Sequence, residues 1–124
     1  MIQQQTVLKV SDNSGAKNAK CIKILGGFKK RFAYSGDIIV VSIQQLRNKS
    51  KKTSKVKKGE IYRALILRTK KNTKDKNIFT SFNDNAISLI NKQNNPIATR
   101  IIGPISKKLK NKYSKFASIS PGFI

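Results

Sequence analysis

Proton transfer at neutral pH falls most often to histidine, and the 124 residues contain none. The five acids, Asp12, Asp37, Glu60, Asp75 and Asp84, are dispersed, mostly among turn-forming residues. Paired carboxylates for glycoside or metal chemistry would have to be assembled from distant points, so carboxylates at turns and strand ends are the simpler reading. Cys21 is the lone cysteine. Lys20 and Lys23 could lower its pKa, but a cysteine in an apolar strand is more often a small packed hydrophobe. The run Asp12-Asn13-Ser14-Gly15-Ala16 has two readings. It could form a nest of backbone N–H groups, with Asp12 toward magnesium held by a bound partner, or simply a turn between strands, which is favoured. Gly26-Gly27-Phe28 likewise allows a close backbone approach to phosphate, though a strand break is simpler. No phosphate-loop or dinucleotide fingerprint is present. The expectation is a protein without catalysis, metal site or cofactor of its own, with at most partner-bound magnesium nearby.

Charge points instead to binding. There are 27 Lys and Arg against five acids, a net charge of +22. Such a density opposes compaction unless a polyanion relieves it, and nucleic acid is the commonest polyanion. Lysine dominates, with only Arg31, Arg47, Arg63, Arg68 and Arg100 as arginines. Lysine neutralises as a point charge, whereas arginine gives bidentate contacts that fix position. Residues 47–58 concentrate Arg47, Lys49, Lys51, Lys52, Lys55, Lys57 and Lys58 with no acid, and residues 68–76 add Arg68, Lys70, Lys71, Lys74 and Lys76. Phe28, Phe32 and Tyr34 interleave with Lys29, Lys30 and Arg31. That pattern could stack unpaired bases or pack a barrel.

The elements that would hold these groups are short strands. Thr6–Val10, Ala19–Leu25, Asp37–Ile43, Ile61–Leu67 and Ala86–Ile90 are β-branched and bounded by turn residues. Within Ala19–Leu25, Lys20, Ile22 and Ile24 alternate with Cys21 and Lys23. A shorter piece, Ile78–Phe82, is expected to pair across the Lys70–Asn77 loop. Five to six short strands joined by short turns argue for an all-β fold closed into a barrel, since closure removes exposed edges. Both faces of Asp37–Ile43 are apolar, so its outer face needs a cover. The C-terminal part offers one: Ser106–Lys110, with an N-cap-type serine, and Tyr113–Ile119, ended by Pro121-Gly122, read as short helices packed on the barrel. The expected organisation is one domain, with the barrel over about 1–102 and the helical segment over about 103–124. A chain this small buries roughly 65% of its unfolded surface, so stability without a partner is expected to be marginal.

The opening MIQQQTVLKVSDNSGAKNAKCIKILGG, Met1 to Gly27, closely resembles the start of the L fourteen family of large-subunit ribosomal proteins. The resemblance resumes at GDI (Gly36–Ile38), KVKKGE (Lys55–Glu60), ALILRTKK (Ala64–Lys71) and PIATRIIGPI (Pro96–Ile105). It is collinear over nearly the whole chain. The chain departs from the family pattern at NTKDKN after RTKK, at Asn83-Asp84 where a glycine is usual, at Ala98, and in a longer lysine-rich 47–54 loop.

The resemblance implies a five-stranded barrel with small C-terminal helices near the subunit interface. Its implied partners are large-subunit rRNA, small-subunit rRNA across the interface, neighbouring large-subunit proteins and a ribosome-silencing factor. By motif match, Lys23, Lys57, Lys58, Arg68, Lys70, Lys71 and Arg100 are RNA-contact candidates. Lys29, Lys30, Arg31, Lys49, Lys51, Lys52, Lys107 and Lys108 join them on charge. Thr99, Arg100, Lys115 and Ser118 match the region facing the small subunit or the silencing factor. The loop from Gln44 to Lys55, with Arg47, is a second bridge candidate.

Lys, Ile and Asn make up 50 residues, a bias typical of AT-rich genomes. With the divergent loops and no evident presequence at Met1, it leads us to expect an organelle-encoded protein of the mitochondrial matrix, with a plastid or bacterial cytoplasm as alternatives. No apolar run approaches the ~18 residues needed to span a membrane. A free nucleic-acid chaperone, a membrane-active cationic protein and an RNA-modifying enzyme are the competing classes. They would need, respectively, an aromatic-lined groove, an amphipathic basic helix, or an acid–base constellation.

Overall fold

Five runs of β-branched residues close on one another in the computed structural model, which describes all residues except 48–53, 71–72, 76–77 and 108, and the backbone alone of 73–75 and 78–80. In chain order the elements are β1 (Val7–Val10), β2 (Ala16–Ile24), β3 (Ile38–Leu46), β4 (Ile61–Arg68), β5 (Thr73–Asp75), β6 (Ile78–Thr80), β7 (Ala86–Ile90), α1 (Leu109–Lys112) and α2 (Ser114–Ile119). Strands β1-β2-β3-β4-β7 form a closed barrel. All neighbours run antiparallel except β1 and β7, which close the barrel in parallel through Lys9↔Ala86 and Val10↔Ile87.

The short segment Ile78–Thr80 pairs with Thr73–Asp75, inside the stretch read as a loop, so the two make their own hairpin beside the barrel. The alternation read in β2 also changes. Register shifts occur between Ala16 and Ala19 and again between Cys21 and Lys23. The second shift turns Ile24 to the same side as Ala19 and Cys21, all buried, and leaves Ile22 43% exposed. One extra residue flips every later side chain, which simple alternation cannot foresee.

The barrel interior is filled by Leu8, Val10, Ala19, Cys21, Ile24, Ile39, Val41, Ile43, Ala64, Ile66, Ile87 and Leu89. A second cluster lies outside the barrel wall. Leu65 and Leu67 of β4 meet Ile90, Ile101, Ile105, Leu109 and Phe116 there, with Ile38 and Tyr113 at its margin. The apolar strand needing an outer cover is therefore chiefly β4, whose residues Ala64 to Leu67 are all fully buried. On β3, Ile38 reaches the cover, while Val40 is half-buried in a groove with Ile61, Tyr62 and Ile97.

Helices of four and six residues cannot hold themselves together in water, so the cover depends on its contacts. The Tyr113 hydroxyl donates to the Gly36 carbonyl at 3.0 Å, and its ring meets Phe116 edge-on at 6.2 Å. The end of the chain pairs back: Ile105 N donates to Gly122 O, Ile124 N to Ile105 O, and Lys107 N to Ile124 O. The Ser106 and Lys107 carbonyls accept from Leu109 N and Lys110 N at 3.0 and 3.1 Å, so Ser106 leads in through a turn and α1 begins at Leu109.

Candidate nucleic-acid interface

The acids come first, because where they go decides where the positive charge is left. Asp12 is fully buried at the start of the β1–β2 turn. Its Oδ1 accepts from the Ser14 backbone N–H at 3.1 Å and from the Ser14 hydroxyl. Its Oδ2 accepts from Leu89 N at 2.9 Å and the Ser88 hydroxyl at 3.2 Å. The turn closes through Gly15, whose φ of +104° is accessible to glycine at little cost. Asp12 thus pins β1 to β7, with both carboxylate oxygens taken by protein donors.

Asp37 accepts from Tyr34 N at 2.9 Å and pairs with Lys30 at 3.1 Å. Glu60 accepts from the Tyr62 hydroxyl, and that bond chiefly holds its carboxyl below the ordinary range. Burial, then the same bond, pushes the Tyr62 phenol up to about 12. Asp84 takes Arg68 at 3.0 Å and Lys9 at 3.7 Å. Each acid whose side chain is described therefore has a partner within the chain. Cys21 is buried too, and burial raises its thiol, the opposite of an activated nucleophile.

Arg68 is taken up inside the protein. Matched as an RNA contact, it is only 6% exposed. Its guanidinium binds Asp84, the carbonyls of Ile102 and Pro104 at 3.1 Å each, and the Ser11 hydroxyl at 2.7 Å. All five donors of the fork point at protein. Gly103, at φ +86°, lies against it so closely that an added Cβ would overlap Arg68 Nη1. Arg68 joins β4, the turn before β7 and the 102–104 segment, so it builds the barrel rather than its surface.

The other described candidates point outward. Lys23, Lys29, Arg31, Lys57, Lys58, Lys70, Arg100 and Lys107 are exposed, and Lys30 is half-buried by Asp37. Lys49, Lys51, Lys52, Lys71 and Lys108 lie outside the described residues. Gln44 belongs to β3 rather than to a loop, exposed, with its amide on the Ser42 hydroxyl. Arg47 is anchored, donating to the Val10 carbonyl at 3.2 Å while its own N–H bonds Gly15 O. Beside it, Lys9, Lys17 and Asn18 line a basic cleft with Arg47, and Lys9 and Lys17 went unremarked because they sit in strands rather than lysine-rich loops.

Thr99, Arg100, Lys115 and Ser118 are brought to one end. Ile101 N donates to Ile119 O, and Lys115 Nζ reaches Asn95 Oδ1, so α2 is tied to the 95–101 segment. All four side chains are exposed. The sequence reading missed what holds them. Asn13 Oδ1 accepts from the backbone N–H groups of Thr99 and Arg100 at 2.9 and 3.1 Å, and its amide donates to the Thr99 hydroxyl at 2.7 Å. Asn13 is a positioning residue, hidden in a sequence that reads as a turn.

The geometry is that of a cationic barrel, and among its described residues no group of three or more His, Cys, Asp or Glu is placed to hold a metal ion. In the comparison with protein families, the model of ribosomal protein L14p/L23e matches residues 1–124. That family is not an enzyme family; its members are structural constituents of the large ribosomal subunit. A closed barrel with a docked C-terminal cover, an outward lysine surface and a full-length family match together make this chain a member of the L14p/L23e family of ribosomal proteins.

Proposed function

We propose that this protein binds large-subunit rRNA through its outward lysines and presents its Thr99–Arg100 end across the subunit interface. The observation that carries this reading is the fate of the acids. Asp12, Asp37, Glu60 and Asp84 are each engaged by a partner within the chain, while Lys23, Lys57, Lys58, Lys70 and Lys107 stand exposed. Such a surface suits folded RNA, whose phosphates are read by shape and charge. The barrel fixes where the charges stand, and the role calls for no cofactor of its own.

The bridge to small-subunit rRNA is assigned to Thr99, Arg100, Lys115 and Ser118, with Gln44 and Arg47 as a second contact. The same end is the docking surface we propose for a ribosome-silencing factor, so joining and silencing compete there. The AT-rich composition favours a mitochondrial ribosome. In a sucrose gradient of lysate, the protein should sediment with the large subunit at low magnesium and with monosomes at high magnesium. Recovery at the top of the gradient would favour a free RNA chaperone instead. The Arg100→Glu variant should still enter large subunits but lower the monosome fraction several-fold and release the silencing factor. If both subunit joining and factor binding survive, the shared surface is wrong.

A further inference from the structure

The loop between β2 and β3 carries three aromatic side chains, one of which the fold leaves almost wholly free. Phe28 is 93% exposed, and Phe32 and Tyr34 are exposed at its base. Single exposed hydrophobics are ordinary, but three aromatics within seven residues of a tethered loop are not. The tether is firm. Ile2 and Ala33 exchange backbone hydrogen bonds of 2.8 and 2.7 Å, and the Lys30–Asp37 ion pair and the Tyr34 N–Asp37 bond lock the far side. The ring is presented by a loop that is already ordered, so a ligand would lose little entropy in meeting it.

Beside the loop lies a cleft lined by Gln3, Gln4, Gln5, Lys29, Lys30 and Arg31. Its volume of about 580 Å³ is in the range of small-ligand sites. The lining combines primary amides, which donate and accept, with cations, and contains no carboxylate. Lys29 Nζ stands 5.5 Å from the centre of the Phe28 ring.

We propose that Phe28 is the stacking platform for one unpaired base of the bound RNA, with the Gln3–Gln5 amides facing that nucleotide's edge and Lys29 and Arg31 its phosphates. This rests on the RNA-binding reading above. A nucleotide is the partner that matches both halves of the site, a π face for the ring and an anion for the cations. A hydrophobic protein pocket closing over Phe28 would desolvate Lys29 without offering a counter-charge, which is costly. One ring is almost fully free, so the site takes one base.

The chain contains no tryptophan, so Phe28→Trp introduces a single reporter. Wild-type protein is first shown to bind its large-subunit rRNA in a filter assay at low salt; failure there removes the RNA-binding reading and this proposal with it. With binding established, the introduced tryptophan should lose its emission several-fold on adding that RNA and become inaccessible to iodide. Phe28→Leu, which keeps an apolar side chain without a π face, should weaken binding about tenfold with an unchanged melting temperature. Unaltered emission on bound RNA, or wild-type affinity for Phe28→Leu, overturns the proposal. Blue-shifted emission without quenching, seen only when neighbouring large-subunit proteins are added, assigns the loop to a protein contact and overturns it equally.

Discussion

Replacing Arg68 by alanine should destabilise the free protein by about 3–5 kcal/mol, the cost of leaving buried partners unpaired. Three segments lose a common anchor at once: Asp84 before β7, the Ile102 and Pro104 carbonyls, and Ser11 after β1. Against a total stability of roughly 5–15 kcal/mol for a domain of ordinary size, this is a large fraction. Urea denaturation followed by circular dichroism reads it directly. Arg68→Lys keeps the charge but not the planar fork, so it should fall between wild type and alanine. Gly103→Ala should behave like a mild Arg68 lesion, because its Cβ overlaps the guanidinium and the backbone there has positive φ. The prediction separates two roles for one residue. A surface phosphate contact would leave the urea midpoint unchanged and weaken RNA binding, whereas an internal anchor lowers the midpoint and affects RNA only through unfolding. If Arg68→Ala melts like wild type, the internal role assigned here is wrong.

Arg68 also marks the limit of what was legible in the sequence. A motif gives residue type and position along a strand, and ALILRTKK is dense in charge at its end. Nothing in it says that the arginine turns inward while Lys70 turns outward. The reason is an acid sixteen residues away, Asp84, at the position where the family's glycine was missing. The five barrel strands were readable because β-branched runs between turns favour extended backbone whatever the tertiary context, and β7 matched to the residue. The inner face of β2 was not, because a bulge leaves no local signature and reverses the side-chain alternation beyond it. The need for an outer cover was readable, but it fell chiefly on β4 rather than β3. Which residues hold the Thr99–Arg100 end was also hidden. The Asn13 contacts span 86 and 87 positions, and turn chemistry alone accounts for the residue's presence.

The largest effect expected of the intact protein is on salt dependence. A surface that neutralises six to ten phosphates releases as many counterions, so affinity for large-subunit rRNA should fall roughly 10³- to 10⁵-fold between about 50 and 200 mM monovalent salt. The steepness counts contacts, with a logarithmic slope of about −0.7 to −0.9 per phosphate. Lys57→Gln combined with Lys58→Gln should therefore make the slope shallower by about 1 to 2 and weaken binding at low salt, with little change in stability, since both side chains are exposed. Phe28→Leu should behave differently, lowering affinity at every salt concentration and leaving the slope as it is, because stacking releases no ions. Filter binding across a salt series distinguishes the two. A slope near −1 would mean that the excess of cations is not spent on phosphates. The charge would then serve solubility, and the pairing of the acids within the chain would no longer point to an RNA-covered surface.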